Sequence, residues 1–282
     1  MAQITLLDIA KANGHDAIVG LIEANQNTYP EFTLFPARTI KGTSYPTLKR
    51  LNYPTAAFRQ ANKGSAAGVS TYQRDLVECF ILDQQLRMDT QVADASEDGA
   101  AAELAREASG GMMGVARTIA SQIYYGTGAD ALGFGGFKAT VDSTHVFSAG
   151  DTGANSSVWA VKFGDQDVKL IGGSGNGLAM APEWRIQSVS DANSNPYDAY
   201  VNAIKGWIGL QLVNPNSIGQ IKLLGTNTGK TMTDSLAYDL IATMPANWRP
   251  DAWLMNRRSA TQLRKSRTTP TTAYIPTPLP PF

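Results

Sequence analysis

The side chains able to do chemistry are few and scattered. The two histidines, His15 and His145, lie far apart and share no paired metal-ligand spacing, which argues against zinc hydrolysis. Cys79 is the only cysteine, so neither an intrachain disulfide nor a thiolate metal cluster can form, and a reducing birthplace fits. It sits in LVECFILD, where a cysteine reads as a small buried hydrophobe rather than an activated thiolate. Two glycine-rich stretches are more tempting. GGSGNG, from Gly172 to Gly177, has Ser174 where a nucleophile elbow would, but Asn176 replaces the second glycine of G-x-S-x-G, and a turn between strands explains it better. GTNTGKT, from Gly225 to Thr231, imitates a phosphate-binding loop. It has three residues before its Gly-Lys pair where four are needed to wrap backbone N–H groups round the phosphates. The chain left after Thr231 is also too short for the parallel βαβ sheet that supports such loops. The sequence therefore predicts no catalytic residues, no metal and no cofactor.

The elements that would position any site point elsewhere. A chain of 282 residues with 43% hydrophobic content has ample material for a core, which excludes tiny scaffolds and full disorder. The 24 Lys and Arg balance 24 Asp and Glu, so no global charge draws it to nucleic acid or anionic membrane. The N-terminus lacks a basic flank leading into an apolar signal core, and nowhere do eighteen uncharged apolar residues run together. The expectation is a soluble, unexported protein.

Charge is nevertheless segregated locally. Thr5 to Gln26 reads as one or two short helices. Pro30, Pro36, Pro46 and Pro54 then favour an extended arm, and Gly64 with Gly68 marks a reversal from which STYQRDLVECFILD returns as a strand, making a long hairpin. Between Phe32 and Arg74 there is no acid, whereas Lys49, Arg50, Arg59 and Lys63 are among the bases. The next segment inverts this, with Asp83, Asp89, Asp94, Glu97, Glu103 and Glu107. Solvated faces would account for both runs. Leu104, Ala108, Met112, Val115, Ile119 and Ile123 recur at helical period, which predicts one helix from Ser96 to Tyr125, about 45 Å long. Gly110, Gly111 and Gly114 inside it each cost up to about 1 kcal/mol against Ala, an expense that close approach of a sheet backbone would offset.

The second half is β-rich. Trp159, Val161 and Phe163 alternate, and a turn at Gly164 to Asp167 leads to Val168 and Leu170, which predicts a hairpin. A second hairpin is predicted from Trp207 to Leu212 through Asn214-Pro215-Asn216-Ser217 to Ile218 and Leu224, with DANSNPYDAY before it as a polar loop. Thr233 caps a helix carrying Leu236, Leu240 and Met244 and stopped by Pro245; Trp253 to Met255 is extended, and Ser259 opens a last helix. Hairpins with a separate long helix make this an α+β protein, not a doubly wound parallel sheet.

The order of these pieces resembles the major capsid proteins of tailed bacteriophages, most closely short-tailed phage shell proteins. WAVKFGDQDVKLIGG, the Gly-Asn-Gly-Leu after it, the strand from Lys205-Gly206-Trp207 to Leu212, and WLMNRRSATQLRK carry the resemblance, which spans Met1 to Arg267. It implies an N-terminal arm (1–35), an extended loop (36–82), a peripheral domain with the spine helix 96–125 and β-hairpins (83–224), and an axial domain (225–267), followed by a proline-rich tail (268–282). It further implies that each extended loop lies over the peripheral domain of a neighbour, in hexamers and pentamers. Lys49, Arg50, Arg59 and Lys63 would then meet Asp83, Asp89, Asp94, Glu97, Glu103 and Glu107 of an adjoining chain. One departure is visible: family members return from the axial domain with a further strand, whereas Pro270, Pro276, Pro278, Pro280 and Pro281 exclude an interior strand here.

The expected function is thus a structural protein that self-assembles into an icosahedral head enclosing double-stranded DNA. Portal, scaffolding or decoration proteins are possible partners, no membrane is involved, and its places are the virion capsid and, during assembly, the host cytoplasm. Packaged DNA would be held non-specifically, by confinement. Two alternatives stand beside this: an encapsulin-like nanocompartment shell of the same fold, and a nucleotide-binding enzyme using Gly225 to Thr231.

Overall fold

The computed structural model describes residues 29–153, 155–175 and 177–267. The expected arm helices from Thr5 to Gln26 and the proline-rich tail lie outside the described residues. The chain opens with a one-turn helix α1 (Glu31–Leu34) and a short strand β1 (Ala37–Thr39). Strands β2 (Ser44–Asn52) and β3 (Thr71–Glu78) then pair with each other in an antiparallel two-stranded sheet, from Ser44 opposite Glu78 to Asn52 opposite Thr71. This is the long hairpin predicted from the prolines and glycines. Only Cys79 separates β3 from β4 (Phe80–Asp89), so the return arm of the hairpin runs almost unbroken into the body.

Asp89 ends β4 and caps the next helix, α2 (Thr90–Asp94), by accepting a 2.8 Å hydrogen bond from the Gln91 amide. The spine helix α3 runs Ala100–Tyr125 rather than from Ser96. Ser96 and Gly99 instead close a turn, with the Gly99 amide donating to the Ser96 carbonyl, and Gly99 has a φ of +83°, which no helix interior accepts. Most of the predicted face turns inward: Leu104, Val115, Ile119 and Ile123 are buried and Ala108 is half-buried, but Met112 is exposed and Gly111 takes the inward place beside it. Gly111 is buried on the same face, and a Cβ there would stand 2.9 Å from Leu86 Cδ2 and 3.4 Å from Ile204 Cδ1. Sheet side chains, not a sheet backbone, therefore make the close approach, and Gly110 faces open space.

After helix α4 (Phe137–Thr140), the β half comprises β5 (Val146–Ser148), β6 (Ser156–Val161), β7 (Lys169–Gly172), β8 (Leu178–Met180), β9 (Arg185–Ser190), β10 (Pro196–Gln211) and β11 (Ile218–Leu224). It ends with helix α5 (Asp234–Ala242), strand β12 (Ala252–Leu254) and helix α6 (Arg257–Arg267). β10 is 16 residues long and is the axis of a six-stranded sheet. β4 flanks one side over Ala199–Ile208, and β9, β8 and β7 follow one another on the other; β1 adds parallel to β7. A second sheet has the order β12-β6-β11-β5.

Both hairpins predicted for this half are corrected. β6 pairs with β11 and β12, while β7 pairs with β10 and β1, so the turn after Phe163 carries the chain from one sheet to the other. Asn214 to Ser217 does the same between β10 and β11. The peripheral hairpin that does form is β9–β10, with Ser190 opposite Pro196 and the turn built on Asp191, whose side chain accepts from the Asn193 and Asn195 amides. Only the first half of the expected polar loop is its turn; from Pro196 onward that stretch is already β10.

One hydrophobic core lies between α3 and the two sheets, around Ile123, Phe137, Trp159, Val161 and Ile204. A second lies between the four-stranded sheet and helices α5 and α6, around Val158, Ile221, Met232, Leu240 and Leu263. Burying a side chain such as Phe137 or Leu240, both 0% exposed, contributes about 1.5–3 kcal/mol each. Thr233 caps α5 as predicted, its side-chain oxygen accepting from the Leu236 amide.

Candidate functional site

Among the described residues the hairpin β2–β3 is seated at its base, where Val77 and Cys79 pack with Ile171 beside Tyr45 and Trp207. Cys79 is 6% exposed and burial pushes its thiol pKa up, so it is a packing residue. Beyond the base, residues 50–69 are all exposed. Alternation sorts the strands into two faces. Pro46, Leu48 and Arg50 share one face with their cross-strand partners Leu76, Arg74 and Tyr72. Leu48, Leu76 and Tyr72 are 72%, 57% and 53% exposed, so this face is an apolar strip set with two guanidinium groups. Arg50 lies over the rings of Tyr53 and Tyr72, at 5.3 and 5.4 Å, and donates a 3.1 Å hydrogen bond to the Tyr72 hydroxyl. Lys49 is half-buried on the opposite face. Its charge reaches Asp142, whose carboxyl is held below the usual range chiefly by the amide and hydroxyl of Thr144, with smaller help from His145 and Lys49. Arg59 and Lys63 both lie in the exposed tip, where Arg59 Nη1 donates to the Lys63 carbonyl at 2.9 Å.

The acids divide as clearly. Glu103 is 5% exposed and already held by Arg106 and by the Ser96 hydroxyl of its own chain. Asp89 caps α2, and Asp83 lies 3.4 Å from Lys205 Nζ. Glu107 is half-buried. Asp94 and Glu97 are exposed where α2 passes into α3, beside Asp98, which pairs with Arg106 at 2.5 Å. Within one chain none of the four hairpin bases is joined to any of these six acids by an ion pair among the described residues. The contact expected from sequence left out Arg74, a base of the same segment, and Leu48, Leu76 and Tyr72 beside it; strict alternation along β2 and β3 was the available signal.

The other chemical candidates resolve into structure. His145 is buried, with Nε2 at 3.0 Å from Asn216 Oδ1. Gly172 to Gly177 turns from β7 to β8, with the Ser174 and Gly175 amides donating to the Gly42 and Ile40 carbonyls at the hairpin base. In the loop after Gly225, the cradle is filled by the chain's own Asp151. Its Oδ1 accepts from Asn227 Nδ2 at 2.6 Å and from the Thr152 amide at 2.8 Å, and a Cβ on Gly225 would fall 1.2 Å from Oδ2. A carboxylate thus takes up the side-chain amide of Asn227 and the backbone amide of Thr226 in this loop. No group of three or more His, Cys, Asp or Glu able to hold a metal, and no helix long and apolar enough to cross a membrane, occurs among the described residues.

The fold agrees with solved capsids. The structure of bacteriophage Epsilon15 superposes with a TM-score of 0.74 at 16% identity, covering 100% of this chain and 90% of that one. The bacteriophage JBD30 capsid gives 0.50 at 12% identity, over 85% and 81% of the two chains. The capsid of Myoviridae phage XM1 gives 0.50 at 11% identity, over 74% and 97%. No curated protein sequence matches. The family model described as major capsid protein GP7 matches residues 11–273, nearly the whole chain. The fold is that of these phage capsid structures, and the chain belongs to the major capsid protein GP7 family.

Proposed function

We propose that this phage capsid protein closes an icosahedral head around double-stranded DNA by laying the strip Leu48, Arg50, Tyr72, Arg74 and Leu76 of one copy on the acidic α2–α3 junction of the next. The observation that carries this reading is the state of the hairpin. A two-stranded sheet is marginally stable by itself, yet this one holds a row of apolar side chains in solvent, which a neighbour would cover. Because base-rich and acid-rich surfaces are different patches of one chain, the contact is heterologous, and such contacts close into rings of five or six. Each exposed ion pair is worth about 0–1 kcal/mol, so charge fixes register while the apolar strip and the number of copies supply strength. Asp94 is the acid best placed to receive it, with Glu97, Asp83 and Glu107 beside it and Glu103 and Asp89 serving their own chain. Arg59 and Lys63 at the tip extend the basic surface. Portal, scaffolding and decoration proteins, and assembly in the host cytoplasm, belong to the same reading.

The role is structural rather than enzymatic. Asp151 in the Gly225 loop supports this, because its negative charge would repel a nucleotide phosphate. Electron microscopy of the expressed chain tests the shell: closed heads are expected. A lone monomer at high concentration, or an ATP-dependent rise in Tm abolished by Lys230→Ala, would overturn it.

A further inference from the structure

Helix α6 reads RRSATQLRKSR, five bases and no acid in its 11 residues. Its inward side is committed to the fold. Ser259 and Leu263 are buried, the Ser259 hydroxyl lies 3.2 Å from that of Ser156, and Gln262 Nε2 donates to the Gly225 carbonyl at 2.8 Å. Two of the bases also serve their own chain: Arg258 Nη2 donates to the Leu224 carbonyl at 3.0 Å, and Arg267 holds both carboxylate oxygens of Asp234, at 2.6 and 2.7 Å. The other three, Arg257, Arg264 and Lys265, are exposed, and helical period sets them on one face with exposed Thr261, over about 12 Å of helix. A base in the last turn of a helix complements its dipole, which accounts for Arg264 and Lys265. It does not account for Arg257, which stands at the first residue, where a cation is disfavoured and no acid of that turn offsets it.

We propose that this face of α6 lies against the phosphodiester backbone of the duplex DNA inside the shell, so that direct contact joins confinement in holding the DNA; the assignment rests on the shell reading above. What the face lacks decides between DNA and a second copy. Contacts between proteins are centred on desolvated apolar and aromatic anchors and are poor in lysine, and the hairpin strip with Leu48, Leu76 and Tyr72 is of that kind. The exposed residues of α6 are Arg257, Thr261, Arg264, Lys265, Ser266 and Arg267, with no apolar side chain among them. Cations and hydroxyls without an apolar centre suit a phosphate backbone, which is held by charge and hydrogen bonds and carries no base-specific information. The equal totals of 24 bases and 24 acids conceal this surface, because the balance is struck over the whole chain and not over α6. Three bases bind weakly in one subunit, and repetition over many copies multiplies the effect.

Fluorescence anisotropy of a short labelled duplex, titrated with unassembled full-length subunits over a series of salt concentrations, tests the assignment. The logarithm of the binding constant should fall linearly with the logarithm of salt, equally for two duplexes of unrelated sequence. Arg257→Gln, Arg264→Gln and Lys265→Gln together should make that slope shallower by about two to three. Each substitution alone should remove about one, which keeps the test open should the triple variant lose its circular dichroism. Arg50→Glu with Arg74→Glu on the hairpin should leave the slope unchanged. A slope indifferent to the three α6 bases, or binding of poly-glutamate as tight as that of the duplex, would overturn the assignment. Electron microscopy separates it from the shell reading. Closed heads from a parent chain whose subunits bind no duplex would strike out the α6 surface and leave the shell standing, whereas duplex binding by subunits that never close into heads would strike out the shell and leave the phosphate-binding face.

Discussion

Lys49 and Arg50 are adjacent in sequence and project from opposite faces of β2, Arg50 over two tyrosine rings in solvent and Lys49 inward, where its charge reaches Asp142 of its own chain. Substitutions at the two positions should therefore separate. Arg50→Glu combined with Arg74→Glu reverses the charge of the exposed strip at every copy and should prevent shell formation in sedimentation velocity. Lys49→Glu alone should leave assembly near normal and disturb the fold beside Asp142 instead. Equal effects from both would remove the assignment of that face to the contact.

Two of the three glycines in the middle of the spine helix, Gly110 and Gly111, should respond oppositely to one added methyl group. Nothing lies within 4 Å of a Cβ on Gly110, so Gly110→Ala should raise stability by about 1 kcal/mol through helix propensity alone. Gly111→Ala drives the same atom toward Leu86 and Ile204 and should lose that gain or fall below it. Urea unfolding of the two variants reads the difference. A stabilised Gly111→Ala would mean that the sheet yields more readily than its packing suggests.

Asp151 makes an acid-sensitive latch between two loops. Burial acts to raise its pKa, but hydrogen bonds from Asn227 and from the Gly153, Thr152 and Thr226 amides outweigh that and hold the carboxyl below its usual range. A group whose folded pKa is depressed contributes stability that is complete above its unfolded value of about 3.9 and drains away as pH falls through the lower folded value. The stability lost in Asp151→Asn should thus be greatest near neutrality and shrink in acid. A difference that stays constant down to pH 2 would deny the ionised carboxylate any part.

Tyr124→Phe removes the hydroxyl that serves Glu31 and leaves a buried carboxylate with no donor, which should cost about 1–3 kcal/mol. Burial first, and the hydrogen bond to Glu31 second, push the Tyr124 pKa up. The linkage sign follows: its contribution is intact below the unfolded value of about 10 and declines as pH rises beyond it. Alkaline denaturation should be less steep in the Phe variant than in the parent chain, and identical slopes would exclude the effect.

What could be read in advance divides along the range of the forces involved. The hairpin between Ser44 and Glu78, the spine helix and the Thr233 cap depend on neighbours in sequence, where proline, glycine and helical period speak directly. Strand partners do not. The alternation of Trp159, Val161 and Phe163 announces a strand, but nothing local says that its partners are Ile218 to Leu224 and Ala252 to Leu254 rather than the segment just after it. Likewise DANSNPYDAY has the composition of a loop, and only Tyr197, Tyr200 and Val201 hinted that β10 had already begun. On the hairpin the bases were legible as types, whereas the division between Lys49 and Arg50, and the service of Glu103 to its own Arg106, required side-chain direction.

The single residue separating β3 from β4 has a mechanical consequence. Because the hairpin's return strand continues through Cys79 into a strand laced along ten positions of β10, a pull on the tip is taken up as shear across many parallel-loaded hydrogen bonds rather than by peeling one bond at a time. If a neighbouring copy grips the hairpin as proposed, a particle swollen by internal pressure would load that strand along its length instead of unzipping it.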